Sequence, residues 1–343
     1  MASSTTTARA SAGPALPRLH NIQYLRAIAA LGVVIFHAGY EAGLRLGFGA
    51  LGVDIFFVVS GFLMVSITDA ASRPWPFLRQ RILRVAPLYW LATAVAFLRY
   101  GAAANGSGSA AQSLAASILF IPWGPPQGAP WFFPILAVGW TLNFEMLFYA
   151  LFAASLLVPR RWQLPALATM FAGLAGLWTT RYGGLLPWRF WGHPIIFEFL
   201  AGAVLATAWR SHGKLALSLA LAGLIGATAI LGAVTDYPIR VLPMGIAALM
   251  VTGAVLLERR RPPVRALTLI GDASYSIYLW HYLAIGAAKS VNPFVLPAGL
   301  VFILYAAAGV TVGIAAHLLL ERPLLKAIRS RLWVRGVPNP GGV

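Results

Sequence analysis

Residues 22–40 read Ile22-Gln-Tyr-Leu-Arg26-Ala-Ile-Ala-Ala-Leu-Gly-Val-Val-Ile-Phe-His37-Ala-Gly-Tyr40. The run has about the 20 apolar residues that a helix needs to cross the hydrocarbon core of a bilayer, yet it carries an arginine and a histidine. On a helix, Arg26 and His37 fall within about 20° of whole turns of each other and about 16 Å apart along the axis, so they share one face at two depths. Ionisable groups inside a span are costly and are by default a functional site. A site with one end toward each membrane surface follows, in a protein that handles something across the bilayer.

The same apolar character extends along the chain. Of its 343 residues, 59% are hydrophobic and 10% charged, where a soluble domain carries about 25% charged residues. Runs at 22–40, 51–69, 83–99, 139–158, 164–180, 190–208, 215–234, 239–257, 271–288 and 296–320 predict an all-α polytopic membrane protein, a bundle of about ten transmembrane helices. Residues 1–20 read as a polar N-terminal tail, 21–325 as the membrane domain and 326–343 as a basic C-terminal tail. The run from Leu114 to Pro122 is too short to cross and is expected to lie along the interface. Gly101 to Ser113 is small and polar and reads as a flexible connection. No apolar run precedes Ile22, so no cleaved signal peptide is expected. The chain has no cysteine, which excludes disulfides and thiol chemistry.

The net charge of +17 would suggest nucleic acid in a soluble protein. Its distribution argues otherwise. With the N-terminus inside, the cytoplasmic segments hold Arg9, Arg18, Arg73, Arg79, Arg81, Arg84, Arg160, Arg161, Arg210, Lys214, Arg259, Arg260, Arg261, Arg265, Arg322, Lys326, Arg329, Arg331 and Arg335. The outer segments hold only Arg45, Arg99, Arg181, Arg189, Arg240 and Lys289. This asymmetry predicts both termini in the cytoplasm of a multi-pass protein of the cell membrane, with the lipid bilayer and not nucleic acid as the partner of its charge. No sequence repeat relates the two halves, which disfavours an inverted-repeat transporter.

His37 near the outer end of the first span and Asp54 near the outer start of the second should sit at similar depth. A carboxylate is the usual partner that fixes an imidazole tautomer; the alternative is that Asp54 caps its own helix and His37 bonds a nearby carbonyl. Glu145, in Trp140-Thr-Leu-Asn-Phe-Glu-Met-Leu-Phe-Tyr149, shares a helix face with Thr141 and Tyr149. It either activates a hydroxyl or orients His37, or holds the bundle by an interhelical bond. Arg81 and Arg84, with Arg79 before them and Arg26 toward the same side, form a candidate cytosolic anion site, since guanidinium donates paired hydrogen bonds to phosphate; ordinary positive-inside anchoring is the alternative. Ser274, Tyr278 and His281 make a polar stripe on the ninth span. Asp272 falls on the opposite face and reads as a helix-start residue. Glu198 is an isolated carboxylate serving packing or function. Glu321, with Arg322 and Pro323, reads as an exit motif without chemistry. There is no Walker loop, no Gly-x-Ser-x-Gly elbow and no His-Glu-x-x-His pair, and the histidines are too scattered to predict a metal.

Several of these stretches together resemble one family. Asn21 to His37 is similar to the opening helix of the membrane-bound acyltransferase 3 family, with its Arg-x10-His signature. Gly52-Val-Asp-Ile-Phe-Phe-Val-Val-Ser-Gly61, Arg81-Ile-Leu-Arg-Val-Ala-Pro87, Trp140 to Tyr149 and Ser274-Tyr-Ser-Ile-Tyr-Leu-Trp-His281 resemble later blocks in the same order. The opening is most similar to the exopolysaccharide acetyltransferases of the succinoglycan type. The resemblance implies transfer of an acyl group, often acetyl, from cytosolic acyl-CoA to a hydroxyl of a polysaccharide or lipid-linked glycan. It implies that Arg26 and His37 are essential, His37 as general base, and that Arg81 and Arg84 contact the donor. Within that scheme Asp54 or Glu145 orients His37, and Trp140, Tyr149, Ser274 or Tyr278 supplies the oxyanion donor, with His281 lining the pocket. Some members add an extracytoplasmic esterase-like domain; none is read up to Val343, so such a partner is expected to be separate or absent. The competing class is a transporter or flippase of a glycan or lipid-linked intermediate, with the buried His and Glu as a proton relay; a third is a non-catalytic membrane scaffold.

Overall fold

The computed structural model describes residues 19–100, 110–123, 133–179, 188–234, 238–258, 262–291 and 296–333. Most of the tail at 1–20, most of the connection at 101–113, the end of the chain after residue 333, and Arg9, Arg18, Arg181, Arg259, Arg260, Arg261 and Arg335 lie outside the described residues.

Every regular element among the described residues is helical. In chain order they are α1 (His20–Glu41), α2 (Leu51–Ile67), α3 (Pro74–Tyr100), α4 (Ala110–Ile118), α5 (Trp140–Ser155), α6 (Arg160–Thr179), α7 (Trp188–Trp191), α8 (Phe197–Val234), α9 (Pro238–Leu256), α10 (Arg265–Asp272), α11 (Ser274–Ser290), α12 (Ala298–Ala316) and α13 (Arg322–Trp333). A π turn, His317–Glu321, joins α12 to α13. Among the described residues five helical stretches are long and apolar enough to cross a membrane: His20–Glu41, Gly47–Ile67, Pro74–Tyr100, Ala137–Ser155 and Ala298–Ser330. Gly213–Gly226 and Leu242–Leu256 are shorter apolar helices.

Some boundaries differ from the expected runs. The third helix starts at Pro74, so Arg79 and Arg81 stand on α3 with Arg84 rather than in a segment before it. Helices tolerate charge beyond the apolar stretch that hydropathy detects, and a proline suits the first turn of α3. Likewise α13 carries the last helix to Trp333, well into the stretch read as a basic tail. Two of the expected runs, 190–208 and 215–234, meet inside α8, where Gly213 at φ 68° breaks the helix into two arms; only glycine adopts that conformation without strain. The run at 271–288 divides at Ala273 into α10 and α11.

Lipid provides no hydrophobic drive between helices, so close packing must hold them together, and small residues permit it. The α2–α8 crossing shows this: a Cβ on Gly61 would stand 1.9 Å from the Phe199 carbonyl oxygen, and one on Gly202 1.9 Å from that of Val58. Phe199 stacks on both Phe57 and Phe148, with ring centroids 4.4 and 4.5 Å apart, which brings α5 against the same crossing. Helices α1 and α11 run parallel. Gly271 abuts the Gln23 carbonyl at one end, Ala30 and Val34 pack with Ala273 and Ile277 between, and Lys289 pairs with Glu41 at the other end. Helix α12 packs against both: Gly309 lies where a Cβ would meet Val34 of α1 at 3.2 Å and His281 of α11 at 3.1 Å, and Gly313 where one would meet the Cα of Ile277 at 2.5 Å.

Candidate active site

The parallel register of α1 and α11 sets His37 beside His281, with ring centroids 5.0 Å apart. Nδ1 of His281 lies 3.0 Å from the Ile277 carbonyl oxygen. A carbonyl only accepts, so that nitrogen carries the proton, and Nε2 of the neutral ring carries the lone pair. Nε2 of His281 is 3.1 Å from Nδ1 of His37, which is also 3.0 Å from the Val33 carbonyl oxygen. Nδ1–H of His37 therefore donates, shared between two acceptors, and Nε2 of His37 is left as the basic atom. His281 is fully buried. Phe36 and Tyr282 meet the His37 ring edge-on and complete its surroundings.

Asp54 and Glu145, expected to orient His37, take other places. Asp54 is buried in the first turn of α2, where the helix dipole favours a carboxylate. Glu145 accepts hydrogen bonds from Tyr149 at 2.5 Å and Ser60 at 3.4 Å and lies in the field of Arg26 and Arg81. The position expected for a carboxylate on His37 is filled by an imidazole.

Arg26 donates to Gln23 at 3.3 Å and feels the charges of Arg84, Glu321, Asp272 and Glu145. Arg81 stands over the Phe77 ring at 5.9 Å; its Nε is buried without an acceptor among the described residues. Arg84 stands over Tyr275 at 5.8 Å and pairs with Glu321. Three arginines from α1 and α3 thus gather at the opposite end of α1 from the histidine pair, about 16 Å away by helix rise.

The residues proposed as oxyanion donors divide. Tyr278 lies 2.9 Å from the Val138 carbonyl oxygen and 2.8 Å from Thr141 Oγ1, which is itself 3.2 Å from the same carbonyl, so the two hydroxyls and that carbonyl satisfy one another. The proton of Tyr149 goes to Glu145. Trp140 packs edge-on to Phe144 at the head of α5. Ser274 is buried with its hydroxyl unpaired among the described residues, but it lies two turns, about 10 Å, below His281 along α11. Sequence reasoning missed Trp280, whose indole Nε1 is buried without an acceptor among the described residues. Asp272 ends α10 and contributes its charge to the Arg26 cluster. Glu198 is buried in the first turn of the first arm of α8. Among the described residues no three metal-ligating side chains come together.

Glu321 is the largest departure from expectation. Read as an exit motif, it is 1% exposed and accepts from Arg84, from Ser276 at 2.5 Å and from His317 at 2.8 Å. The signal available in the sequence was the histidine four residues before it, on the same helix face.

A family model described as an acyltransferase domain, Acyl_transf_3, matches residues 19–319. The chain is 41% identical over 319 residues to the exopolysaccharide production protein ExoZ of Rhizobium meliloti (strain 1021), an alignment covering 89% of this chain and 98% of that one. It is 30% identical over 301 residues to the putative membrane-bound transacylase BcsY of Komagataeibacter xylinus, covering 79% of this chain and 74% of the relative. It is 25% identical over 315 residues to the peptidoglycan O-acetyltransferase OatA of Listeria monocytogenes, covering 76% of this chain and 48% of that protein. No solved structure gives a significant match. An apolar helical bundle with an arginine cluster and a histidine pair on one helix, matched by that model from its first described residue through α12, belongs to the acyltransferase 3 family and is an acyltransferase.

Proposed function

We propose that the protein moves an acyl group, acetyl in the first instance, from cytosolic acyl-CoA to a hydroxyl of a cell-surface or exported polysaccharide or its lipid-linked precursor. The observation that carries this reading is the His37–His281 hydrogen bond, which leaves Nε2 of the half-buried His37 with a lone pair beside the Phe36 and Tyr282 rings. The names of the relatives, an exopolysaccharide production protein and a peptidoglycan O-acetyltransferase, supply the acceptor class.

In this scheme the phosphates of the donor rest on Arg81, Arg84 and Arg26, and the pantetheine arm runs between the helices toward His37. The unpaired Nε of Arg81 supports an anionic ligand there, because a buried donor left without an acceptor costs free energy that a phosphate oxygen recovers. At the other end, Nε2 of His37 takes the proton of the sugar hydroxyl as its oxygen attacks the thioester carbonyl. The carbonyl oxygen gathers negative charge and needs a donor; Trp280 Nε1 is buried and has no acceptor among the described residues. Collapse of the adduct forms the ester and expels the CoA thiolate, which recovers the proton from the imidazolium. His281 accepts from Nδ1–H throughout and holds the tautomer, the part a carboxylate plays in hydrolytic triads.

The test uses protein in lipid nanodiscs, radiolabelled acetyl-CoA and a cell-envelope glycan fraction, with wild type compared to His37→Ala. Acetyl is expected on glycan with wild type, with transfer by His37→Ala reduced about 10²- to 10⁴-fold, the range of general-base catalysis, while CoA binding persists. Equal transfer by both removes His37 as the base; uptake of label with the thioester intact points to a transporter.

A further inference from the structure

On the strength of the donor reading above, we infer that Glu321 is a positioning residue for acyl-CoA: the π turn aims its carboxylate at Arg84 and fixes one end of that guanidinium, so that its other donors face the donor's phosphates. Three observations converge on this. Glu321 is 1% exposed, and both of its oxygens are engaged, Oε1 by Arg84 and Oε2 by Ser276 and His317. Apart from Arg84, the carboxylate is held by donors from α11 and the π turn, so it has little freedom to follow Arg84; Arg84 must follow it.

Second, the pairing is partial. Arg84 gives Glu321 one Nη, makes no other hydrogen bond among the described residues, and keeps 29% of its side chain exposed. A guanidinium has five donors in a fixed fork, so one edge can remain on Glu321 while another meets phosphate. Third, the backbone is irregular where the carboxylate sits. A π turn holds an extra residue, is rare, and is found mostly at functional sites. Here it lies between two regular helices, α12 and α13, with His317 at its first position and Glu321 at its last. Because a carboxylate only accepts, Nδ1 of His317 carries the proton and the ring serves as a fixed donor.

Charge balance favours the same role. Arg26 and Arg84 repel each other within the cluster, and Glu321 is an attractive charge on Arg26 as well. Without it, Arg84 would turn toward water and away from Arg26, and the anion site would lose its shape while keeping its positive charge.

Glu321→Gln is isosteric and tests this directly. Protein in nanodiscs is titrated with CoA itself by calorimetry, and transfer from acetyl-CoA is measured in parallel. The expected result is CoA affinity weakened and donor KM raised about tenfold, the scale seen when a group that orients a ligating side chain is lost, with kcat changed less than twofold. In an Arg84→Ala background the Glu321→Gln effect is expected to vanish, since it acts through Arg84. Ser276→Ala and His317→Asn, each removing one anchor of the carboxylate, should move KM in the same direction by less, and they carry the test if Glu321→Gln does not fold. CoA binding unchanged or tighter in Glu321→Gln, a fall confined to kcat, or a full effect persisting without Arg84 overturns the inference. Wild type that binds no CoA overturns the donor reading and this inference with it; wild type that binds CoA while the variant binds equally overturns this inference alone.

Discussion

At the scale of single residues, the tautomer of His37 is fixed by a chain of acceptors. The Ile277 carbonyl sets the proton on His281 Nδ1, and His281 Nε2 then accepts from His37 Nδ1. Removing His281 breaks that chain only in part, because the Val33 carbonyl still accepts from His37 Nδ1 at 3.0 Å. His281→Ala is therefore expected to lower kcat about 10- to 100-fold, less than His37→Ala, with KM for acetyl-CoA unchanged. A change in KM without one in kcat would remove His281 from the chemistry. Gly309 of α12 passes close to the backbone at this position, where a Cβ would stand 3.1 Å from that of His281. The pairing of Arg26 and His37 on one helix face was legible from spacing alone, because helix periodicity is local. The contact between His37 and His281 was not. The two are 244 residues apart, and a polar stripe on one helix does not say which neighbour it faces. A carboxylate partner was the chemical default; the packing of α1 on α11 decided for an imidazole.

At the scale of elements, the glycines that matter are those at crossings. Gly61 and Gly202 each leave a gap that a methyl group would close onto a carbonyl oxygen 1.9 Å away. Gly61→Ala is expected to destabilise the bundle by about 1–3 kcal/mol, the cost of overpacking, read as a lower melting temperature in detergent with activity per folded molecule largely kept. Gly223→Ala is the matched comparison. It sits in the second arm of α8 with nothing within 4 Å of its added Cβ, and replacement of a helical glycine there should be neutral or stabilising by up to about 1 kcal/mol. Equal effects at the two positions would mean that the α2–α8 crossing does not depend on close approach. Apolar runs made the long helices legible, and the break between the arms of α8 was visible in the polar residues before Leu215. What hydropathy could not show is where helices continue into charged sequence, as α3 does through Arg79 and α13 through Arg329. Nor does composition mark the π turn that ends at Glu321, because its extra residue leaves no trace in hydropathy.

For the whole molecule, the charge distribution assigns a side to each end of the site. Arg79, Arg81 and Arg84 stand on α3 below the apolar part of that helix, while Glu41 and Lys289 close the His37 end. If the arginine end is cytosolic, as the positive-inside rule requires, the donor enters there and the acceptor meets His37 from outside. The absence of cysteine makes this directly measurable, because a single introduced thiol is the only one in the chain. Arg45 and Ser330 are both exposed and belong to opposite ends. In intact spheroplasts, Arg45→Cys should react with a membrane-impermeant maleimide, and Ser330→Cys should react only after permeabilisation. The reverse pattern would put the arginines outside, where acyl-CoA is not supplied, and would overturn the donor path while leaving the geometry of the histidine pair untouched. With the expected pattern, donor capture should also weaken with salt: three clustered guanidinium groups attract a polyanion over roughly the 10 Å Debye length of 0.1 M salt and over only about 3 Å at 1 M. KM for acetyl-CoA should then rise steadily across that range with kcat level, because screening acts on the arriving phosphates and not on a proton transfer buried at the other end of α1.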